Sequence, residues 1–109
     1  MTVLVAGGGI GGLSLALMLH QRGIAVKVFE QASEVREIGV GINTLPVAIG
    51  ELAELGLLPT LEKTGIRTRE LISLNKSGQE VWRELRGMDA GHKVPQFSIH
   101  RGRFQKVLY

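Results

Sequence analysis

Three glycines near the amino terminus have the spacing of a phosphate-binding turn. Gly7, Gly9 and Gly12 form the pattern G-x-G-x-x-G within the stretch VLVAGGGIGG. In this pattern the first glycine permits a tight turn, the second lets backbone approach a pyrophosphate, and the third lets a helix pack closely on a strand. The free N–H groups and partial positive charge at the start of that helix would attract phosphates. The spacing therefore indicates dinucleotide binding.

An acidic residue stands where the adenosine ribose of a dinucleotide needs a hydrogen-bond acceptor. Glu30 comes about 20 positions after the glycine turn, at the end of an apolar stretch. A carboxylate at this position binds ribose hydroxyls and repels a 2′-phosphate, which disfavours NADP and leaves both FAD and NAD open. Glycines alone could form a turn that merely packs a helix on a sheet. Their occurrence together with Glu30 favours binding.

The elements that must position these residues follow from the apolar pattern. Val3–Ala6 is a short apolar run, typical of a strand buried on both faces of a parallel sheet. A helix is predicted from Ile10 to the polar residues before Gly23, which is a natural helix stop. Alternating β-branched residues predict a second strand that ends at Glu30. This order of strand, glycine turn, helix and strand is a Rossmann-like βαβ unit of the α/β class.

The remaining sequence predicts shorter elements. Pro46 and Gly56 bracket a predicted helix, for which Asn43 or Thr44 could provide the cap. A helical turn near residues 59–63, a β-hairpin of RELISLN and QEVWREL around NKSG, and a loop over residues 86–95 are expected to follow. The strand-like QFSIH then leads into a final helix.

Composition excludes several classes of function. The chain has 109 residues, of which 44% are apolar, enough for one small domain or part of one. The formal charge is +3, but basic and acidic residues alternate, so no nucleic-acid partner is expected. Neither a membrane anchor nor a metal site is expected, because glycines interrupt the first apolar run and the histidines are scattered. The absence of cysteine fits a cytoplasmic protein.

Two segments of the chain resemble a known family. VLVAGGGIGGLSLALMLHQRGIAVKVFE and the sequence that follows it, together with QFSIHRGRFQKVL, are similar to the single-component FAD-dependent aromatic hydroxylases, the family of para-hydroxybenzoate and salicylate hydroxylases. The second segment resembles the family's arginine-led helix R-x-x-L-x-x-x-L. The resemblance covers essentially the whole chain. Within the family, the segments GVGIN, ELGL, EVW and PQFSIHRG look most like the flavin hydroxylases of phenazine biosynthesis.

This resemblance implies FAD as the cofactor, NADH or NADPH as the transient reductant, O2 as co-substrate and hydroxylation of a small aromatic substrate. The cofactor-binding residues that it implies, together with the glycine motif, are Gly7, Gly9, Ile10, Gly11, Gly12, Glu30, Arg36, Val40, Gly41, Arg101 and Gln105. It identifies no catalytic residue in this chain.

Members of the resembled family are much longer. Residues 1–109 therefore correspond to the N-terminal part of an FAD-binding domain, with a β-hairpin excursion and without the substrate domain. Alone, this segment is expected to be inactive and to self-associate through exposed apolar residues such as Leu15, Met18 and Leu19. A non-catalytic FAD-binding fragment and another FAD- or NAD-dependent oxidoreductase are the alternatives.

Overall fold

The computed structural model describes residues 1–34 and 39–109. The chain forms two compact units, one made of Met1–Gly41 with His100–Tyr109 and the other of Ile42–Ile99. Arg36, one of the predicted site residues, lies outside the described residues.

The first unit contains the predicted βαβ arrangement. Strand β1 (Thr2–Ala6) leads into helix α1 (Ile10–Gln21), and strand β2 (Ala25–Phe29) pairs with β1 in parallel. Gly23 ends α1 in the left-handed conformation, at φ +73°, and its N–H donates to the His20 carbonyl at 2.9 Å. A later helix, α4 (Arg101–Leu108), packs against α1. The predicted order of strand, turn, helix and strand is thus confirmed.

Burial in the first unit is one-sided. Val5 on β1 and Leu13 on α1 are buried, as are Phe104 and Leu108 on α4. Leu4 lies on the other face of β1 and is 67% exposed. The prediction that β1 is buried on both faces is therefore wrong for the described residues, because alternate side chains of a strand point to opposite faces and only one face is covered.

The second unit is built on a three-stranded sheet. Strand β7 (Gln96–His100) lies between β3 (Gly41–Thr44) and β4 (Ile66–Thr68), and β4 runs antiparallel to β7. Helices α2 (Pro46–Glu54) and α3 (Leu58–Thr64) join these strands along the chain. The largest fully buried side chains of this unit are Ile49, Leu61 and Phe97.

The hairpin excursion is present as predicted. Strands β5 (Glu70–Leu74) and β6 (Glu80–Leu85) pair antiparallel across the NKSG turn. Gly78 takes the positive φ of +81° that this turn requires. The segment predicted as a loop over residues 86–95 contains one short 3₁₀ helix, Gly87–Ala90.

The predicted cap of α2 is wrong. Thr44 belongs to β3, where its buried hydroxyl donates to the Phe97 carbonyl at 3.0 Å, and Asn43 lies on the same strand. Leu45 occupies the cap position without a side-chain hydrogen bond. Pro46 at the first turn has no N–H to satisfy, which lowers the need for a polar cap.

Among the residues that the structure describes, no helix has the length and apolar character needed to span a bilayer.

Candidate functional site

The glycine turn connects the end of β1 to the start of α1. Gly7 adopts φ +105°, which only glycine takes without strain, and its N–H donates to the Phe29 carbonyl at the end of β2 at 2.7 Å. Gly9 is the N-cap of α1 and has an extended backbone, at φ −76° and ψ −174°. The turn is therefore fixed against the carboxyl end of the parallel strand pair, the edge at which open α/β sheets bind ligands.

The glycines of the turn serve different purposes. A Cβ on Gly12 would overlap the Gly7 carbonyl oxygen and lie 3.3 Å from a methyl group of Val5. Gly12 is therefore required by the protein's own packing of α1 on β1. A Cβ on Gly9 or Gly11 would meet no atom within 4 Å. The space in front of these two glycines is therefore open. A turn whose backbone is approached by a ligand needs such open space.

The amino terminus of α1 is suited to an anion. The helix has twelve residues, no side-chain cap and no acidic residue in its first turn. No acidic side chain of the helix itself therefore competes for its first N–H groups, and the helix dipole adds partial positive charge at the same point. Together with the open space at Gly9, these features fit the pyrophosphate of a dinucleotide.

The Glu30 side chain reaches back to the turn. Its Oε2 accepts a hydrogen bond from the Gly8 N–H at 2.6 Å, and its Oε1 accepts one from the Ala32 N–H at 3.0 Å. The hydrogen bond from the Ala32 N–H lowers the pKa of this carboxyl most, and the one from the Gly8 N–H lowers it next most. Desolvation raises the pKa by less, so the pKa lies below its ordinary value. The ionised carboxylate keeps further lone pairs with which to accept ribose hydroxyls.

Glu30 should make the first unit sensitive to acid. Because folding lowers the pKa of Glu30, the contribution of its carboxylate to stability is complete above the ordinary glutamate pKa of 4.5 and is lost as pH falls through the folded-state pKa. We expect the difference in melting temperature between wild type and Glu30→Gln to be constant from pH 7 to pH 5 and to shrink below about pH 4.5. Thermal unfolding followed by circular dichroism measures this difference. A difference that grows on acidification would contradict the assigned contacts.

Helix α4 brings two further predicted residues into the first unit. The Gln105 Nε2 donates to the Gly8 carbonyl at 2.8 Å, so that α4 contacts the glycine turn directly. The Arg101 backbone N–H donates to the Val40 carbonyl at 2.9 Å. A Cβ on Gly39, at φ +119°, would lie 3.4 Å from the Arg101 side chain. The structure therefore places Arg101 beside residues 39–40 and Gln105 at the turn, while Gly41 begins β3.

Sequence reasoning missed the part played by Gly8. It falls between the motif glycines, is buried, and is hydrogen-bonded through both its N–H and its carbonyl. The only available signal was the run of three consecutive glycines, Gly7 to Gly9, which exceeds what the motif requires.

A cleft of about 210 Å³ in the second unit contains none of the predicted site residues. Three arginines contribute to its lining, Arg67, Arg69 and Arg86. They form ion pairs with Glu62, Asp89 and Glu84, respectively. Because carboxylates already balance these guanidinium groups, the cleft is a weak candidate for an anion site. Within residues 1–34 and 39–109, no cluster of three or more His, Cys, Asp or Glu side chains is placed to hold a metal ion.

Comparison of the sequence with known proteins identifies a matching family and several relatives. A family model described as FAD binding domain matches residues 1–102. The chain is 50% identical over 107 residues to phenazine 1,6-dicarboxylic acid hydroxylase PhzS of Lysobacter antibioticus, covering 97% of this chain and 26% of that protein. It is 33% identical over 112 residues to 3-hydroxybenzoate 6-hydroxylase 1 of Aquipseudomonas alcaligenes, covering 97% and 28%. The chain thus spans about a quarter of the length of these relatives.

Comparison of the structure agrees with that of the sequence. The chain superimposes on Klebsiella pneumoniae HpxO complexed with FAD and uric acid with a TM-score of 0.82 at 27% identity, covering 99% of this chain and 28% of HpxO. It matches 2-methyl-3-hydroxypyridine-5-carboxylic acid oxygenase with a TM-score of 0.82 at 26% identity, covering 98% and 27%. With a glycine turn and an acidic residue arranged for a dinucleotide, and a family model that spans nearly all of its residues, the chain belongs to the FAD-binding domain family.

Proposed function

We propose that the chain is the FAD-binding N-terminal part of a flavin-dependent monooxygenase that hydroxylates a small aromatic substrate with O2 and NADH or NADPH. The glycine turn carries this proposal, because it leaves open space at Gly9 and an uncapped helix terminus for a pyrophosphate. The names of the relatives support the reaction class, since they include a phenazine hydroxylase and a hydroxybenzoate hydroxylase.

Different residues are proposed to contact different parts of FAD. The backbone of Gly9, Ile10, Gly11 and Gly12 would face the pyrophosphate, while Glu30 would accept the adenosine ribose hydroxyls. The remaining predicted contacts are carried over from the resemblance and comprise Gly7, Arg36, Val40, Gly41, Arg101 and Gln105.

When bound, FAD would supply the redox chemistry. Overall, a ring C–H becomes C–OH with one oxygen atom of O2, the other oxygen atom leaves as water, and NAD(P)H provides the two electrons. The described residues of this chain would contribute by holding and orienting the adenine dinucleotide end of the cofactor. Because the chain spans about a quarter of its relatives' length, we place the substrate domain and the rest of the FAD domain outside these 109 residues.

We further propose that residues 1–109 self-associate when produced alone and that the protein is cytoplasmic. Of the three α1 residues predicted to be exposed, Leu15 is exposed, whereas Met18 and Leu19 are half-buried, so that prediction is wrong for these two. The exposed apolar side chains of the β1–β2 pair, such as Leu4 at 67% and Phe29 at 59%, support self-association of residues 1–109 when they are produced alone. A cytoplasmic location rests on the absence of cysteine.

Glu30→Ala should weaken FAD binding at least tenfold, since it removes a charged acceptor from two ribose hydroxyls and frees the Gly8 N–H. Fluorescence titration of the apoprotein of the full-length variant with FAD measures the affinity. Glu51→Ala, which removes an exposed carboxylate on α2, is the matched control and should leave the affinity unchanged. A loss below about threefold for Glu30→Ala would remove this residue from the proposed ribose contact.

The reaction is tested on the full-length protein. NAD(P)H oxidation should accelerate when a phenazine carboxylic acid or a hydroxybenzoate is added, and ¹⁸O2 should place one ¹⁸O atom in the product. If the protein bound FAD tightly but placed no ¹⁸O in any of these aromatic compounds, a non-catalytic FAD-binding protein would be favoured. Binding of NAD in place of FAD would favour another oxidoreductase.

A further inference from the structure

Two side chains from distant parts of the chain hold the Gly8 backbone from opposite ends. The Gly8 N–H donates to Glu30 at 2.6 Å, and the Gly8 carbonyl accepts a hydrogen bond from the Gln105 side-chain amide at 2.8 Å. Gly8 is buried, so neither of its polar groups would easily find water if these partners were removed. The Gln105 contact spans 97 positions of sequence. This glutamine thus ties α4 to the turn.

The geometry of the peptide bond carries the effect of Gln105 to the next residue. The Gly8 carbonyl and the Gly9 N–H belong to one planar trans peptide, in which C=O and N–H point in opposite directions. Because the carbonyl faces Gln105, the Gly9 N–H must face away from Gln105. Rotation of this peptide is the movement that glycine permits most easily, since Gly8 and Gly9 both lack a Cβ.

We propose that Gln105 is a positioning residue for the cofactor's pyrophosphate. By fixing the peptide between Gly8 and Gly9, it aims the Gly9 N–H at the phosphate position in the open space beside the turn. Gln105 acts through the backbone and does not need to touch the phosphate itself. This proposal rests on the proposed function of FAD binding, and it gives Gln105, one of the predicted cofactor-binding residues, a specific role at the phosphate site through the Gly8 carbonyl.

Loss of Gln105 should weaken the binding of ADP, which contains phosphates, more than that of adenosine, which contains none. In the apoprotein of the full-length protein, Gln105→Leu should weaken ADP binding about three- to tenfold, the range expected for one hydrogen bond, and adenosine binding less than twofold. Isothermal titration calorimetry with ADP and with adenosine gives the ratio of the two dissociation constants. Gln79→Leu is the matched control, because Gln79 lies in the hairpin and accepts from Asn75. It should leave both constants unchanged.

Gln105→Glu provides a second variant of nearly the same shape. An ionised carboxylate cannot donate to the Gly8 carbonyl, whereas a protonated one can. The loss of FAD affinity relative to wild type should therefore be smaller at pH 5 than at pH 8. FAD suits this comparison because its pyrophosphate keeps the same charge over that range. If the Leu variant fails to fold, a pH-independent loss in the Glu variant would still overturn the proposal.

The possible results separate this proposal from the proposed function. Equal weakening of ADP and adenosine by Gln105→Leu would show a purely structural role and would overturn the proposal. An unchanged ADP affinity, or a loss in Gln105→Glu that does not depend on pH, would overturn it as well. A wild-type protein that binds no FAD would instead refute the proposed function.

Discussion

Gly12→Ala is expected to prevent α1 from packing on β1 and to leave little folded protein. The added Cβ would overlap the Gly7 carbonyl oxygen, which is backbone and cannot rotate away as a side chain could. Overpacking of this kind costs about 3 kcal/mol or more when the structure cannot relax. For a chain of this size, the melting temperature should fall by at least about 12 °C.

Circular dichroism during heating and the yield of soluble protein measure the effect of Gly12→Ala. Gly50→Ala is a matched control, because Gly50 lies within α2 and a Cβ there would meet no atom within 4 Å. Alanine is the better helix former, so this control should be as stable as wild type or more stable, by up to about 1 kcal/mol. If Gly12→Ala had the same melting temperature as wild type, α1 would not approach Gly7 as described.

Gly9→Val is expected to abolish FAD binding while leaving the fold intact. The Gly9 backbone is extended, a conformation that valine adopts freely, and a Cβ there would meet no protein atom within 4 Å. The branched side chain would instead occupy the space proposed for the pyrophosphate. The full-length variant should therefore purify colourless, and its melting temperature without cofactor should lie within about 3 °C of that of the wild-type apoprotein.

Absorbance at the flavin band and thermal unfolding of both apoproteins test this prediction together. Gly78→Ala in the hairpin turn is the control for a glycine that matters to stability but not to the cofactor. Gly78 has a positive φ but no predicted contact with FAD. This substitution should lower stability and leave FAD content unchanged. A yellow Gly9→Val protein with a normal flavin content would show that the pyrophosphate lies elsewhere.

Local sequence patterns predicted the parts of the fold that depend on neighbouring residues. The βαβ order follows from residues within one stretch of about 30 positions, and each glycine has a steric reason that its spacing reveals. The same holds for the hairpin around NKSG. The cap of α2 could not be predicted in this way, because the choice between a cap and a strand for Thr44 depends on β7, which comes 52 positions later.

The candidate site was predictable only in part, for a similar reason. Glu30 could be placed near the turn from its position at the end of β2. The contact between Gln105 and Gly8 left no trace in spacing or periodicity, since helical geometry relates Gln105 only to nearby residues such as Arg101. Contacts that join distant segments must be read from the tertiary structure.

The long separation between Gln105 and Gly8 has a consequence for folding. The βαβ segment and the Glu30 contact need only the first 30 residues or so, whereas the Gln105 contact requires that the chain leave the first unit at Gly41 and return at His100. Closing a 97-residue loop costs about 1.3 kcal/mol more chain entropy than closing a 22-residue one. During synthesis on the ribosome, the nascent turn would therefore exist for several seconds before its α4 partner emerges.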